Sequence, residues 1–348
     1  MKAVELAIIG GGAAGMFAAV VAAERGLKCV LIERKARLGS KVLMTANGRC
    51  NFTKDISPEQ FLKDVGVDFL RPAIMACPPR RIIKGFQSFN VPLRRMADGR
   101  MFPADGKAAT IVHAFGDSLR DEEVPIITNC PVKAVKRRDG GFVIETDAFE
   151  LGAKNVLIAT GGVSYPKTGS VGDGQRFAAQ LGLKVTPYRP GLIGLETRDE
   201  RVVRLAGRRF EDDGRVQIYD RRHHTIFDYR GEVDCENFGL SGAAIYNAQR
   251  FLEHYTGSRD ELMLEAWFGR NRIAFPVNAL KPRPVKEAIV TIGGVALNEL
   301  DPRSMMSKKV PGLYFAGEVI DVDGPTGGYN LTIAFATAHL AVSSILKR

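Results

Sequence analysis

Three glycines near the N-terminus are spaced so that backbone groups can bind phosphate. Gly10, Gly12 and Gly15 form the pattern G-x-G-x-x-G between a short apolar run and an Ala-rich segment that begins with Ala13 and Ala14. The first glycine permits a tight turn, the second lets a pyrophosphate approach, and the third lets a helix pack closely on a strand. Because a helix N-terminus carries free N–H groups and partial positive charge, this segment predicts a diphosphate site.

An acidic residue lies at the end of the next apolar run, where a dinucleotide-binding site requires one. Glu33 ends the next apolar run, 23 positions after Gly10, and Arg34 follows it. A carboxylate at this place accepts hydrogen bonds from an adenosine ribose and repels a 2′-phosphate. Val132, in a later β segment, would bring its backbone near the adenine. The strand–turn–helix–strand pattern predicts dinucleotide binding, but it does not separate FAD from NAD.

The C-terminal part of the chain supplies features that favour FAD. Glu318 follows a predicted strand, and a glycine-rich turn then leads into an apolar helix. The N-terminus of such a helix can point at the pyrimidine edge of a flavin and stabilise negative charge on the reduced ring. A third segment of the predicted cofactor site follows the strand at 155–159. The cofactor-binding residues predicted in these parts are Gly317, Glu318, Gly327, Gly328, Tyr329, Asn330, Leu331, Thr160, Gly161 and Gly162.

These residues require an α/β framework. The N-terminal segment is a βαβ unit, and strands at 288–292 and 313–316 with a helix at 332–346 would complete the same domain. Near Pro187 the chain becomes richer in arginine and in short alternating segments, which predicts an inserted β-rich domain with a helical piece near 241–267. The predicted parts are a first FAD-binding part at 1–188, an inserted substrate domain at 189–285 and a C-terminal FAD-binding part at 286–348.

Composition narrows the class of protein. The chain has 348 residues, of which 45% are hydrophobic and 25% charged, as in globular proteins. Five cysteines without a C-x-x-C pair predict neither a disulfide framework nor a zinc site, and we expect no metal. The apolar stretch at 16–23 is too short to span a bilayer, so we expect a cytoplasmic protein.

The net charge of +10 favours anionic partners, although a merely basic enzyme also explains it. Four basic clusters could face RNA phosphates. They are Arg80-Arg81 with Lys84, Arg94-Arg95, Arg208-Arg209 and Arg221-Arg222.

Five ordered motifs resemble one known family. The segment 39–53 (GSKVLMTANGRCNFT) is similar to its G-x-K-x-x-x-[ST]-[GN]-x-G-R-C-N-[LF]-T signature, and 100–108 to its R-x-F-P-x-S-x-K-A box. Segments 161–174, 291–295 and 317–331 also match. The chain thus resembles the BaiN/RdsA family of NAD(P)/FAD-dependent oxidoreductases over roughly residues 1–190 and 285–348.

The resemblance implies a glutathione-reductase-like FAD/NAD(P)-binding Rossmann domain split by the insert. It implies that Arg49, Cys50 and Asn51 line the flavin region, and Lys41 of the same segment is a further predicted cofactor-binding residue. Family members are associated with reduction of activated C=C bonds, in bile-acid intermediates or in a uracil base of ribosomal RNA, and some are called aminoacetone oxidases. Two departures stand out: Ala46-Asn47 replaces a Gly-rich pair, and the insert is short, with the part at 255–275 trimmed.

The residues also limit the chemistry. The absence of a cysteine pair argues against disulfide reduction, and Cys50 is either beside the flavin or an inert packing thiol. No second G-x-G-x-x-G follows a strand, so either NADH or NADPH docks only transiently at the flavin as electron donor, or another donor serves. A C=C reductase needs a proton donor. Tyr165, Lys167 and Tyr329 are the catalytic candidates, and each also has a structural explanation.

Three functions therefore remain open. The leading hypothesis is an FAD-dependent oxidoreductase that reduces an activated C=C bond in a small molecule or an RNA base. The second is an FAD-dependent amine or aminoketone oxidase. The third is an RNA-binding flavoprotein that acts in rRNA modification. The sequence leaves the oligomeric state open.

Overall fold

The computed structural model describes residues 4–211 and 213–347. The predicted domains also include residues 1–3, 212 and 348, which lie outside the described residues. The chain divides into two compact units, one formed by Met1–Pro187 with Gly293–Arg348 and the other by Tyr188–Ile292. Residues 286–292, which we assigned from the sequence to the FAD-binding part, thus belong to the second unit.

The N-terminal part of the first unit alternates helices with strands, as its patterning predicts. The strands are β1 (Val4–Ile9), β2 (Cys29–Ile32), β3 (Thr53–Lys54), β4 (Leu93–Arg95), β5 (Arg100–Pro103), β6 (Ile126–Ile127), β7 (Ala134–Arg138), β8 (Gly141–Glu145) and β9 (Glu150–Ile158). The helices are α1 (Ala13–Ala23), α2 (Pro58–Val65), α3 (Arg71–Ala76), α4 (Pro79–Ser88), α5 (Ala108–Asp121) and α6 (Asp173–Gln180).

The second unit is rich in β structure. Its strands are β10 (Arg189–Gly191), β11 (Leu195–Glu196), β12 (Arg209–Phe210), β13 (Gly214–Tyr219), β14 (Thr225–Arg230), β15 (Val233–Glu236), β16 (Gly239–Ser241), β17 (Met263–Phe268), β18 (Asn271–Pro276), β19 (Lys281–Pro282) and β20 (Val290–Ile292). Its helices are α7 (Glu200–Val203) and α8 (Ala243–His254). The sheets have the orders β14-β13-β17-β18, β12-β15-β16-β11-β19 and β10-β20.

Two predictions fail in this unit. The helical piece expected near 241–267 ends at His254, and Met263–Phe268 is a strand with alternating burial. Gly269 turns that strand back into β18, so cross-strand pairing overrides any helical tendency. The strand expected at 288–292 in the FAD-binding part is β20, which pairs with β10 of the second unit.

The chain returns to the first unit with β21 (Leu313–Phe315) and α9 (Tyr329–Ile345). The seven-stranded sheet has the order β6-β2-β1-β9-β8-β7, and β21 pairs in parallel with β9. Both β1 and β21 therefore lie beside β9, and α9 packs on α1, with ring centroids of Phe17 and Phe335 5.1 Å apart. The prediction of an α/β Rossmann domain with a β-rich insertion is confirmed.

No helix of the described chain is both long enough and apolar enough to cross a membrane. The apolar helix α9 has 17 residues and is buried around most of its circumference. Its hydrophobicity is explained by its place in the core of the first unit, against α1 and α3.

Candidate functional site

The turn between β1 and α1 borders open space at a helix N-terminus, which we call the phosphate crevice. Gly10 N–H donates to the carbonyl of Ile32 at 2.8 Å, which fixes the turn against β2. A Cβ on Gly15 would lie 1.8 Å from the carbonyl oxygen of Gly10, so only glycine permits this packing. A Cβ on Gly12 would meet no described atom within 4 Å, and no described side chain caps α1. The N-terminus of α1, with Ala13 and Ala14, thus faces open space.

The carboxylate of Glu33 is held in place by backbone groups. Its two oxygens accept hydrogen bonds from the N–H groups of Gly11 at 2.6 Å and Lys35 at 2.7 Å. Glu33 is buried, and its carbonyl accepts from the N–H of Cys130 at 3.0 Å, two residues before the buried Val132. Each carboxylate oxygen keeps a second lone pair, which suits it to accept from ribose hydroxyls. Glu33 and Val132 therefore lie together, as an adenosine site requires.

The segment after β9 braces this end of the site. The hydroxyl of Thr160 accepts from the N–H of Gly174 at 3.1 Å, and the carbonyl of Gly161 accepts from the side-chain amide of Gln175 at 3.0 Å. Gly162 follows and is buried. Arg34 donates to Asp173 of α6 at 2.8 Å. These contacts fasten α6 to the dinucleotide turn.

Three side chains from distant parts of the sequence form a polar cluster. Lys41 Nζ lies 2.6 Å from one carboxylate oxygen of Glu318 and 2.7 Å from the hydroxyl of Ser164. Ser164 in turn donates to the other oxygen of Glu318 at 3.0 Å. Lys41 and Glu318 are each about one-fifth exposed, so the pair is only partly screened by water. We call Lys41, Ser164 and Glu318 the polar cluster.

The polar cluster stands beside the phosphate crevice. A Cβ on Gly317 would lie 2.9 Å from the Cβ of Ala14 in the first turn of α1. The N–H of Gly317 donates to the hydroxyl of Thr337 on α9 at 3.0 Å. Glu318 is therefore next to the N-terminus of α1, although about 300 positions separate them in the sequence. The two predicted halves of the site come together.

The N-terminus of α9 packs against the signature segment, residues 39–53. A Cβ on Gly328 would lie 2.7 Å from the carbonyl carbon of Thr53 and 2.9 Å from Oδ1 of Asn51. The hydroxyls of Thr53 and Thr332 are 2.7 Å apart. Oδ1 of Asn51 is buried and has no hydrogen-bond partner among the described residues. An unsatisfied buried acceptor beside a helix N-terminus fits a ligand that carries N–H groups and negative charge, such as the pyrimidine edge of a reduced flavin.

The other residues predicted in the C-terminal motif shape the loop that leads to α9. The amide of Asn330 accepts from the N–H of Gly324 at 2.8 Å and donates to the carbonyl of the same residue at 2.9 Å. Gly327 has a φ of 109°. Leu331 is half-buried against the core. Asn330 and Leu331 therefore hold the loop, and their binding role stays a prediction.

The structure of the signature segment, residues 39–53, bears on the departure at Ala46-Asn47 and on the two alternatives for Cys50. Ala46 and Asn47 have φ values of 48° and 54°, in the left-handed region, which glycine adopts with less strain than other residues. Cys50 is fully buried, and burial raises the pKa of its thiol to about 12. An inert packing thiol is therefore the better description of Cys50. Arg49 is exposed, with its guanidinium 5.9 Å from the ring centroid of Phe102.

The three candidate proton donors occupy different surroundings. Tyr329 is buried, its phenol donates to the carboxylate of Asp64, and Lys54 lies 3.4 Å from the phenol oxygen. Tyr165 is half-buried, with a φ of 50°. Lys167 is exposed in the short 3-10 helix Pro166–Thr168.

That short helix belongs to the adenosine end. A Cβ on Gly169 would lie 3.2 Å from the side chains of Arg34 and Lys35. The loop that carries Tyr165 and Lys167 thus reaches toward Glu33, whereas Tyr329 begins α9. The structure does not bring the three candidates into one cluster, and the catalytic role of each stays a prediction.

Reasoning from the sequence missed several polar partners. Ser164 lies inside the motif at 161–174, but a serine there has no local pattern that predicts a carboxylate partner. Asp64 and Thr332 carry no local signal, since only the tertiary packing of α2 and β3 against α9 gives them partners. Among the described residues, no group of three or more His, Cys, Asp or Glu side chains could hold a metal ion.

The fold and the site together define a Rossmann-type oxidoreductase that binds FAD. The crevice at Gly12, the fixed Glu33 carboxylate, the polar cluster and the unsatisfied Asn51 fit the phosphate, ribose and ring portions of this cofactor. Residues 4–344 match the family described as HI0933-like protein Rossmann domain, and the chain belongs to that family. The resemblance to the BaiN/RdsA oxidoreductases is thereby confirmed, and the protein is an FAD-dependent oxidoreductase.

Curated relatives match over nearly the whole chain. The 3-dehydro-bile acid delta(4,6)-reductase of Clostridium scindens is 27% identical, with 99% of each chain covered. The ribosomal RNA dihydrouridine synthase of Escherichia coli is 28% identical, again with 99% of each chain covered. The first alignment spans 409 positions, more than the 348 residues of this chain, so this chain lacks residues that the relative has.

Solved structures show the same fold. The 3-ketosteroid delta1-dehydrogenase of Sterolibacterium denitrificans has a TM-score of 0.61 at 11% identity, and the match covers 100% of both chains. The quinol fumarate reductase of E. coli has a TM-score of 0.60 at 18% identity, with 99% of this chain and 70% of that chain covered. At these identities the likeness concerns the fold alone.

Proposed function

We propose that this protein uses FAD to reduce an activated C=C bond. The observation that carries the proposal is the convergence of the two half-sites, with Gly317 against Ala14 and Gly328 against Asn51. When bound, FAD supplies two-electron redox chemistry, and the protein supplies orientation and electrostatics. The deeply buried thiol of Cys50 argues against chemistry that exchanges a disulfide.

The chain's own residues would divide the work along the crevice. Glu33 would bind the ribose, the N-terminus of α1 the pyrophosphate, and Lys41 would offset the charge of Glu318 beside it. The N-terminus of α9, with Asn51, would favour negative charge on the ring. A C=C reductase also needs a proton donor, for which the candidates are Tyr165, Lys167 and Tyr329; Tyr329 begins α9 at the ring end, whereas the loop of Tyr165 and Lys167 reaches toward Glu33.

The names of the curated relatives support a reductive direction. One is named as a reductase of a 3-dehydro-bile acid, and the other as a synthase of dihydrouridine, a nucleoside with two more hydrogen atoms than uridine. Both reactions add hydrogen across a conjugated C=C bond. We infer the same reaction class here and a cytoplasmic location, with NADH or NADPH as a transient electron donor.

The test is anaerobic reduction of the purified, FAD-loaded protein. Addition of NADH or NADPH should bleach the flavin absorbance, and an α,β-unsaturated acceptor should restore it within seconds to minutes. A protein that stays colourless after FAD addition would overturn the proposal. So would a reduced flavin that ignores every unsaturated acceptor but releases peroxide in air while it oxidises small amines, since that result identifies an amine or aminoketone oxidase.

An RNA base is a second candidate substrate, because the positive charge is distributed unevenly. Residues 188–292 carry 17 Lys and Arg against 16 Asp and Glu, a net charge of +1. The rest of the chain carries 32 against 23, a net charge of +9. The excess therefore lies in the unit that forms the FAD site, where a polyanionic substrate would have to bind.

A further inference from the structure

One stretch of the first unit contains several basic residues and no acidic residue. Residues 69–97 contain six Lys or Arg and no Asp or Glu. The stretch covers α3, α4 and β4. Arg71 pairs with Asp68 and Arg95 pairs with Asp55, both from outside the stretch. The remaining four cations are Arg80, Arg81, Lys84 and Arg94.

These four side chains are exposed, and no described carboxylate lies within ion-pair distance of any of them. The positive charge of Arg81 acts at longer range on the carboxyl of Glu24, where it opposes the rise in pKa that burial causes. Arg80, Lys84 and Arg94 have no such neighbour. We call these three residues the cationic face and base the inference on them.

Two of these three residues are on α4, whose other side is fixed in the core, and Arg94 is on β4. Ile82 and Phe86 of α4 are buried, whereas Arg80 and Lys84, four residues apart, lie together on the outer side. Arg80 is in the first turn of α4, where the helix dipole disfavours a cation by about 0.3–1 kcal/mol. Helix stability therefore does not explain the charge at this position.

The arginines of the second unit behave differently. Arg201 pairs with Asp199 at 2.6 Å, Arg209 with Asp234 at 2.9 Å, and Arg283 with Glu287 at 2.7 Å. Arg215 also pairs with Asp228. The Arg-rich insert, which contains two of the four basic clusters that could face RNA phosphates, is thus largely neutralised by its own carboxylates.

The cationic face is close to the ring end of the FAD site. Phe86 of α4 packs on Phe52, with ring centroids 4.7 Å apart. Phe52 stands between Asn51 and Thr53, the two residues that meet Gly328 at the N-terminus of α9. A phosphate backbone on the outer side of α4 would therefore be separated from the residues that border the ring by this helix and the Phe86–Phe52 contact.

We propose that Arg80, Lys84 and Arg94 bind the phosphate backbone of an RNA substrate and so direct one of its bases toward the flavin. This proposal rests on the RNA-base candidate given under the proposed function. Charge complementarity selects a polyanion, and the position beside the ring end selects one that presents a reducible base. The insert would take no comparable share in phosphate binding.

The test measures binding apart from turnover. FAD-loaded protein is titrated against a fluorescein-labelled RNA stem-loop over a range of salt concentrations, with wild type, Arg80→Gln/Lys84→Gln and Arg94→Gln. Each lost phosphate contact lowers the slope of log affinity against log salt by about 1. The double variant should lose about 2 in slope and on the order of tenfold to a hundredfold in affinity near 0.1 M salt. Arg94→Gln should lose about 1 in slope.

The matched control is Arg201→Gln/Arg204→Gln, which removes two cations that are paired with acids on α7. It should leave affinity and slope unchanged. Equal losses in the control, or no loss in the α4 variant, would overturn the proposal. So would a wild-type protein that binds phosphatidylserine vesicles but no RNA.

Flavin absorbance and its reduction by NADH or NADPH are recorded for every variant. All of the variants change exposed residues, so both signals should match wild type. If RNA binding fails while these signals persist, the RNA proposal is wrong and the reductase proposal stands. If wild-type protein itself shows no flavin absorbance, or no reduction of the flavin by NADH or NADPH, the reductase proposal is wrong whatever the RNA titration shows.

Discussion

The backbone half and the charged half of the proposed FAD site would hold the cofactor with different groups. At Gly10–Gly15, the backbone half, the binding groups would be N–H donors at the start of α1, and the glycines matter because they have no Cβ. At Lys41, Ser164 and Glu318, the charged half, the binding groups would be charged and polar side chains that pair with one another.

Because of this difference, mutations in the two halves should impair FAD binding in different ways. A backbone cradle fails sterically, because any added atom must fit against a neighbouring main chain. A charged cluster fails electrostatically, because removal of one partner leaves the other uncompensated. The first kind of failure does not depend on salt, whereas the second should.

The largest effect is expected in the backbone half, from Gly15→Ala. The added methyl group would overlap the carbonyl of Gly10, at 1.8 Å. We expect the turn to open, FAD binding to be lost, and stability to fall by about 3 kcal/mol. Flavin content after purification and the midpoint of thermal unfolding measure both effects.

The control for this variant is Gly116→Ala. Gly116 lies in the middle of α5, and a Cβ there would meet no described atom within 4 Å. Alanine in a helix is favoured over glycine by about 1 kcal/mol, so this variant should be as stable as wild type or more so. If Gly15→Ala binds FAD as well as Gly116→Ala does, the close-approach argument for the cradle is refuted.

A smaller effect is expected in the charged half, from Lys41→Met. Loss of the ammonium group leaves the Glu318 carboxylate uncompensated beside the diphosphate crevice. We expect the dissociation constant for FAD to rise by roughly tenfold to a hundredfold, which corresponds to about 2 kcal/mol. Quenching of FAD fluorescence on binding measures it, and the effect should shrink as salt is raised.

The double variant Lys41→Met/Glu318→Gln separates charge from shape. It removes both charges, so it should recover about tenfold in FAD affinity over the single variant. Lys136→Met is the matched control, because Lys136 pairs with Glu145 at 2.6 Å on an exposed hairpin. No recovery in the double variant would show that Lys41 acts by some means other than charge balance.

Much of this site could be predicted from the sequence because its spacing is local. The glycine pattern and Glu33 belong to one βαβ unit. The glycine-rich motif at 317–331 by itself predicts a turn followed by a helix. Ser164 and Asp64 could not be assigned, since their partners are 154 and 265 positions away in the chain. Likewise, β17 is defined by cross-strand pairing rather than by local propensity, so the sequence wrongly predicted a helix there, whereas β20 was predicted as a strand and only its domain was wrong.

The smallest effect on the cofactor is expected away from both halves, at His339 of α9. His339 is buried, and Arg25 lies 2.9 Å from its Nε2. Burial, helped by the positive charges of Arg81 and Arg25, lowers its pKa to about 4 from the ordinary value near 6.5. Between these two pH values the unfolded chain binds a proton that the folded protein does not, so stability falls as pH falls.

From the two pKa values, the fold should lose about 1 kcal/mol between pH 7 and pH 5.5 through this group. His339→Gln should remove that loss while it leaves FAD affinity at pH 7 unchanged, because the cofactor contacts lie at the opposite end of α1 from Arg25. Urea unfolding of both proteins at the two pH values measures the difference. An identical pH dependence in the variant would mean that other groups are responsible. A loss of FAD affinity at pH 7 would mean that the packing of α9 on α1 couples this region to the site.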